Sequence, residues 1–156
     1  MSNFMWLAVC AVAVFASAAL GSIFTSMGLG PWYEALSRPT WRPPDWLFGP
    51  VWTSLFILMV ISSYIVATKG FERADVQLAL LLFALQLILN VAWTGIFFGL
   101  RMPTLASVEI AILLVAIAAM IFTFWRVSPI AGILQIPYLV WVCFASALNI
   151  WIAKHN

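Results

Sequence analysis

Hydrophobic residues run in long unbroken blocks along this chain, and polar and charged residues gather between the blocks instead of alternating within them. Residues 1–33, 46–68, 76–100 and 127–153 carry no Asp, Glu, Lys or Arg. Each stretch exceeds the ~20 residues that an α-helix needs to cross ~30 Å of hydrocarbon. A further apolar stretch, 104–125, contains one acid, Glu109. The pattern predicts an all-α integral membrane bundle of five transmembrane helices, with spans at about 4–27, 46–67, 76–98, 104–125 and 129–153. The links between them are too short for a second, aqueous domain, so residues 1–156 are expected to form a single transmembrane domain.

Span 1 is rich in Ala, Gly and Ser, and the four-residue spacing of Ser17, Gly21 and Thr25 predicts a packing helix that a neighbour approaches closely. Ala16-Ser17-Ala18 imitates a signal-peptidase site, but no Lys or Arg precedes the apolar run, so this helix is expected to be retained. The one long connection, 28–45, holds Pro31, Pro39, Pro43 and Pro44 among Trp32, Tyr33 and Trp41. It is expected to be a long ordered loop between helices 1 and 2, partly extended, of the kind that often carries function. In span 5, Pro137 removes the hydrogen bond to the carbonyl of Ile133 and predicts a bend.

Composition sharpens this picture: 65% of residues are apolar and 8% charged, where soluble domains average roughly 45–50% and 25%. Seven basic and five acidic side chains are scattered singly, which gives no basic patch for a nucleic acid. Arg38, Arg42, Arg101 and Lys154 fall on one side of the bundle and Lys69, Arg73 and Arg126 on the other, a difference of one that leans the proline-rich loop toward the cytoplasm. Cys10 and Cys143 both lie within apolar spans and read as packing residues, with neither a disulfide framework nor a metal cluster in prospect.

Candidate chemistry lies in aromatic and carboxamide side chains. The nine tryptophans exceed ordinary usage; an interfacial belt accounts for Trp6, Trp125 and Trp151 but not for Trp52, Trp93 or Trp141. At helical spacing Gln86, Asn90, Trp93 and Phe97 share a face of span 3, and Tyr138, Trp141, Ala145 and Asn149 a face of span 5. Trp52, Phe56, Met59 and Ser63 make a third, more aromatic face on span 2. A carboxamide in hydrocarbon must be paired, so these faces point inward, and the residues leave two readings open: hydrogen bonds between helices, or an aromatic pocket for a small molecule. Glu109 reads first as structural, either protonated or reaching Arg101, and second as functional. The lone histidine, His155, sits in the tail, so a histidine ligand to haem iron inside the bundle is not expected, and neither acid pairs nor hydrolase motifs equip the chain for protein-borne catalysis.

Several ordered motifs together carry a resemblance: Trp32-Tyr33; Pro39-Thr40-Trp41-Arg42-Pro43-Pro44; Gly49-Pro50-Val51-Trp52-Thr53-Ser54-Leu55; Asn90-Val91-Ala92-Trp93; Phe97-Phe98-Gly99; and Pro137-Tyr138-Leu139-Val140-Trp141. Over nearly its whole length the chain resembles the tryptophan-rich sensory protein family, also called the translocator protein or peripheral-type benzodiazepine receptor family. The resemblance implies a multi-pass protein of the cell membrane in a bacterium, or of the outer mitochondrial membrane in a eukaryote, and a homodimer. It implies binding of tetrapyrroles, protoporphyrin IX and haem, and in animal relatives of cholesterol and benzodiazepine-site ligands. No obligatory cofactor and no bound metal are expected; porphyrin or haem is a ligand. The implied lining is Tyr33, Trp41, Pro43, Pro44, Trp52, Asn90, Trp93, Trp141 and Ala145, to which the face on span 5 adds Tyr138.

The leading functional expectation is a membrane protein that senses, transports or disposes of porphyrin. One alternative is light-dependent porphyrin degradation, with Trp52 and Trp141 as candidate oxidisable groups; another is a sterol or lipid transporter or a scaffold in a membrane complex. The cholesterol pattern of relatives places Tyr between an aliphatic and a basic residue near the end of span 5. Here Leu148 and Lys154 flank Trp151 in the tyrosine slot, and the reversed pattern at Lys69, Phe71 and Val76 falls in a polar loop, so a sterol partner has weaker support.

Overall fold

All five apolar stretches form helices long enough to cross a bilayer in the computed structural model, which describes residues 2–156. Helix α1 spans Asn3–Gly28, and the Ser2 side chain caps it by accepting from the Met5 amide at 3.2 Å. Gly30, at φ 117°, turns the chain into the short helix α2, Pro31–Ala35, which starts on a proline. Proline at the first helical position costs no hydrogen bond. The chain then passes through a turn at Thr40–Trp41, closed by the Arg42 amide on the Pro39 carbonyl at 3.2 Å, to Pro44, the N-cap of α3, Asp45–Ala67, with Asp45 in its first turn where the helix dipole favours a negative charge.

A turn through Gly70 leads to α4, Ala74–Thr94, and Arg73 grips the Asp75 carboxylate with two nitrogens, at 3.1 and 2.7 Å. The α-helix then widens into a π-helical turn, Gly95–Gly99, closed by the Leu100 amide on the Gly95 carbonyl at 2.8 Å. Sequence periodicity did not predict this turn, which adds a residue to the helical repeat and re-aims Phe97 and Phe98. After a left-handed Arg101 (φ 57°) comes α5, Pro103–Val127. The fifth span is two helices, α6, Pro129–Leu134, and α7, Ile136–His155, broken at Gln135 two residues before Pro137. The bend expected at Pro137 is thus a full interruption, because the proline ring cannot donate back to Ile133.

Helix α5 packs between α4 and α7. The main core joins α3, α4, α5 and α7 through Met59, Phe83, Leu113, Ile117, Phe124 and Tyr138, all buried. A smaller core of Phe97, Ala106, Leu148 and Ile152 sits under Trp32, Tyr33 and Leu36 of the loop. Outward positions such as Val115 (71% exposed) and Phe122 (64%) are apolar, as a surface wetted by acyl chains requires.

Helix α1 is peripheral: only Cys10, Val14 and Gly28 are buried along it. Its close approach to a neighbour is made not at the Ser17/Gly21/Thr25 stripe but at Gly28, where an added Cβ would lie 2.7 Å from the backbone of Phe98. At Gly21 the nearest atom would be 3.7 Å away, ordinary contact distance. That stripe faces a cavity.

Candidate ligand cavity

Beneath residues 29–44, which form a lid, the helices frame a partly open cavity of about 550 Å³. Its walls come from α1, α3, α4 with its π turn, and α7. Trp52 and Phe56 project from α3 as a stacked pair, 5.5 Å between ring centroids, and the Trp52 edge meets Tyr138 at 6.3 Å. Trp93, one turn above Asn90 on α4, packs on Phe97 at 5.6 Å, and the π turn brings Phe98 edge-on at 6.3 Å. From α7, Trp141 stands edge-on to Phe48 at 5.6 Å, and Ala145 opens space beside it.

The carboxamides resolve the two readings that the sequence left open, differently at each position. Asn149 is buried and fully used between helices: its Oδ1 accepts from Trp93 Nε1 at 2.9 Å, and its Nδ2 donates to the Pro103 carbonyl at 2.8 Å and Ser107 Oγ at 2.6 Å. Those bonds fix the Trp93 ring and join α4, α5 and α7. Asn90 is half committed, since Nδ2 donates to Tyr138 Oη at 3.0 Å while the residue also lines the cavity, its Oδ1 without a partner among the described residues. Gln86 is fully buried, and neither end of its amide has a partner among the described residues. Glu109 is also buried, with both carboxylate oxygens unpaired among the described residues, and Arg101 instead donates to the Met27 carbonyl at 3.4 Å. The expected reach of Arg101 to Glu109 does not occur.

Of the residues expected at the site, Tyr33, Trp52, Asn90, Trp93, Trp141 and Ala145 line this cavity. Four do not. Trp41 leans outward onto Phe144 at 5.7 Å and is 48% exposed. Pro43 and Pro44 lead into the start of α3 and shape the lid from outside, and Tyr138 is buried below the floor, holding Asn90 from behind. Met59 and Ser63, on the same helical face as Trp52, fall deeper, in the packed core.

Sequence reasoning missed the α1 wall of Ser17, Ala18, Gly21, Ser22 and Thr25, whose small side chains leave the cavity its width. The signal was the same four-residue spacing, attributed above to packing. It also missed the mouth, where Glu34, Arg38 and Asp45 stand. Arg42 pairs with Asp45. Arg38 has no acidic partner among the described residues and lies over the Tyr33 ring, 5.1 Å from its centre. Among the described residues no group of three metal-ligating side chains converges, and His155 stacks on Trp151 at 3.9 Å, outside the cavity.

Comparison with known proteins gives concordant results. The model of the TspO/MBR family matches residues 8–154. The chain is 42% identical over 150 residues to the tryptophan-rich protein TspO of Chlorobaculum tepidum, covering 96% of this chain and 95% of that protein. It is 37% identical to protein CrtK of Rhodobacter capsulatus over 149 residues, with 96% and 91% coverage. With the human translocator protein it shares 41% identity over 128 residues, 80% of this chain and 75% of the relative.

Proposed function

This chain belongs to the TspO/MBR family, and on that footing we propose that its cavity binds tetrapyrroles, protoporphyrin IX or haem, for sensing, transport or disposal of porphyrin. The observation that carries this reading is the meeting of three indoles from three helices, Trp52, Trp93 and Trp141, in one hollow of about 550 Å³ beside Asn90. That volume falls within the ~300–1,000 Å³ of small-molecule sites. A flat macrocycle gains most from ring faces and edges, each such contact contributing ~0.5–1.5 kcal/mol beyond buried area. The free carbonyl of Asn90 suits the O–H of a protonated propionic acid at the ring edge, while Arg38 at the mouth suits an ionised propionate.

In this reading Tyr138 orients Asn90, Asn149 orients Trp93, and Trp41, Pro43 and Pro44 shape the lid. With the lone histidine outside the cavity, haem would be held by its faces and rim instead of by a histidine–iron bond.

The test is titration of the purified protein with protoporphyrin IX, which should quench tryptophan emission saturably. Trp52→Phe combined with Trp141→Phe should weaken affinity about tenfold, the sum of two trimmed aromatic contacts. Unchanged affinity and quenching in that variant would show that the pocket lies elsewhere. Negligible porphyrin affinity in a protein that co-purifies with a stoichiometric lipid or partner would put the transporter or scaffold reading first.

A further inference from the structure

A second hollow, a groove of about 610 Å³, lies on the outer face of the bundle between α3 and the first half of α7. Ser54 and Leu58 form one side, Val140 and Phe144 the other, and Trp141 the back. Helix α3 packs on α1, α4 and α6, and α7 packs on α5, so the α3 and α7 backbones stay apart and the two helices meet through the aromatic pairs Phe48–Trp141 and Trp52–Tyr138. The break at Gln135 shapes this seam: α6 packs on both α5 and α3, whereas beyond the break α7 packs on α5. The lining is almost wholly apolar, and Val140 on its rim is 63% exposed at mid-span, where the surrounding medium is hydrocarbon.

Trp141 belongs to both hollows. Its indole meets Phe48 on the cavity side and Phe144 on the groove side, each at 5.6 Å, and Phe144 carries Trp41 at 5.7 Å. A single layer of aromatic rings therefore separates bilayer from cavity. The Trp141 Nε1 is buried without a hydrogen-bond partner among the described residues, so no polar contact there pins the ring, in contrast to Trp93 with its bond to Asn149. The aqueous mouth is fastened instead: Asn156 bonds both backbone groups of Ser37, Arg42 pairs with Asp45, and Arg38 lies over Tyr33.

The geometry points to the α3–α7 seam as the membrane-side entrance to the cavity, through which a flat apolar ligand dissolved among the acyl chains passes, with the Trp141 ring as the shutter. This inference rests on the cavity being a ligand site. Physically, a molecule already in hydrocarbon that moves sideways into an apolar groove never exposes its faces to water, whereas the lid route requires that exposure.

The experiment measures rates with the full chain in phosphatidylcholine vesicles, protoporphyrin IX arriving from donor vesicles of the same lipid, and tryptophan quenching as the signal. An obstruction on the path slows entering and leaving alike and leaves the equilibrium untouched. Ser54→Phe and the lipid-facing Val140→Phe, neither of which lines the cavity, should each slow association and release by about fivefold or more, with Kd within about twofold. Phe144→Ala, which thins the wall, should accelerate both. Rates equal to wild type in the two obstructing variants overturn the entrance. Absence of saturable quenching in the wild type is a different result: it fails the cavity reading, and the entrance falls with it.

Discussion

Asn90, Asn149 and Gln86 are all buried carboxamides, yet each has a different occupation, and the difference lies in what stands opposite. Asn149 faces an indole N–H, a carbonyl and a hydroxyl and satisfies all three, so it binds helices together. Asn90 faces the Tyr138 phenol on one side and open cavity on the other, which leaves it partly free for a ligand. No sequence pattern separates these cases, since all three are amides on inward faces. Arg38 is the complementary example, a cation that shares the mouth with Glu34 and Asp45 but, among the described residues, makes an ion pair with neither. If it receives a propionate, Arg38→Gln should weaken protoporphyrin IX binding about tenfold, ~1.4 kcal/mol, the scale of one charge-assisted hydrogen bond. The dimethyl ester of the same porphyrin should bind wild type and variant alike; an equal loss for both would remove Arg38 from propionate recognition.

Among the elements, α1 and the broken fifth span do most to shape the cavity. Helix α1 is held to the π turn by the contact at Gly28, where a methyl group would collide with the Phe98 backbone at 2.7 Å. Gly28→Ala should therefore cost about 1–3 kcal/mol, the usual penalty for overpacking a tight contact, seen as a lower thermal unfolding midpoint in detergent. Gly49→Ala is the control, because nothing lies within 4 Å of its added Cβ; its midpoint should stay at or slightly above wild type, since alanine is the better helix former. An equal fall in both variants would show that the loss does not come from the Gly28–Phe98 contact. The π turn is the corresponding device on α4: it carries Phe97 and Phe98 under the lid beside Trp32 and Tyr33.

At the scale of the whole molecule, the fold brings residues distant in sequence onto one lid. Ser37 and Asn156, separated by 119 positions, are joined by two hydrogen bonds of 2.8 and 3.1 Å. Each such bond contributes about 0.5–1.5 kcal/mol, so Asn156→Ala should speed hydrogen exchange across residues 36–42 by about tenfold; exchange at the wild-type rate would show that the lid is held elsewhere. The sequence by itself determined the number of membrane helices, their inward faces and the family resemblance. Those features depend on runs of apolar residues and on fixed spacings, which the cost of exposing polar backbone to hydrocarbon converts directly into helices. It also placed Trp52, Trp93 and Trp141 on faces that turn inward. Tertiary structure alone decided that the small residues of α1 line a cavity instead of packing closely, that Trp41 and Tyr138 stand outside the lining, and that Arg101 does not reach Glu109. Each of those outcomes depends on how helices are offset, rotated and interrupted relative to one another, and a single residue of π turn or one broken hydrogen bond at Pro137 is enough to change which side chains meet.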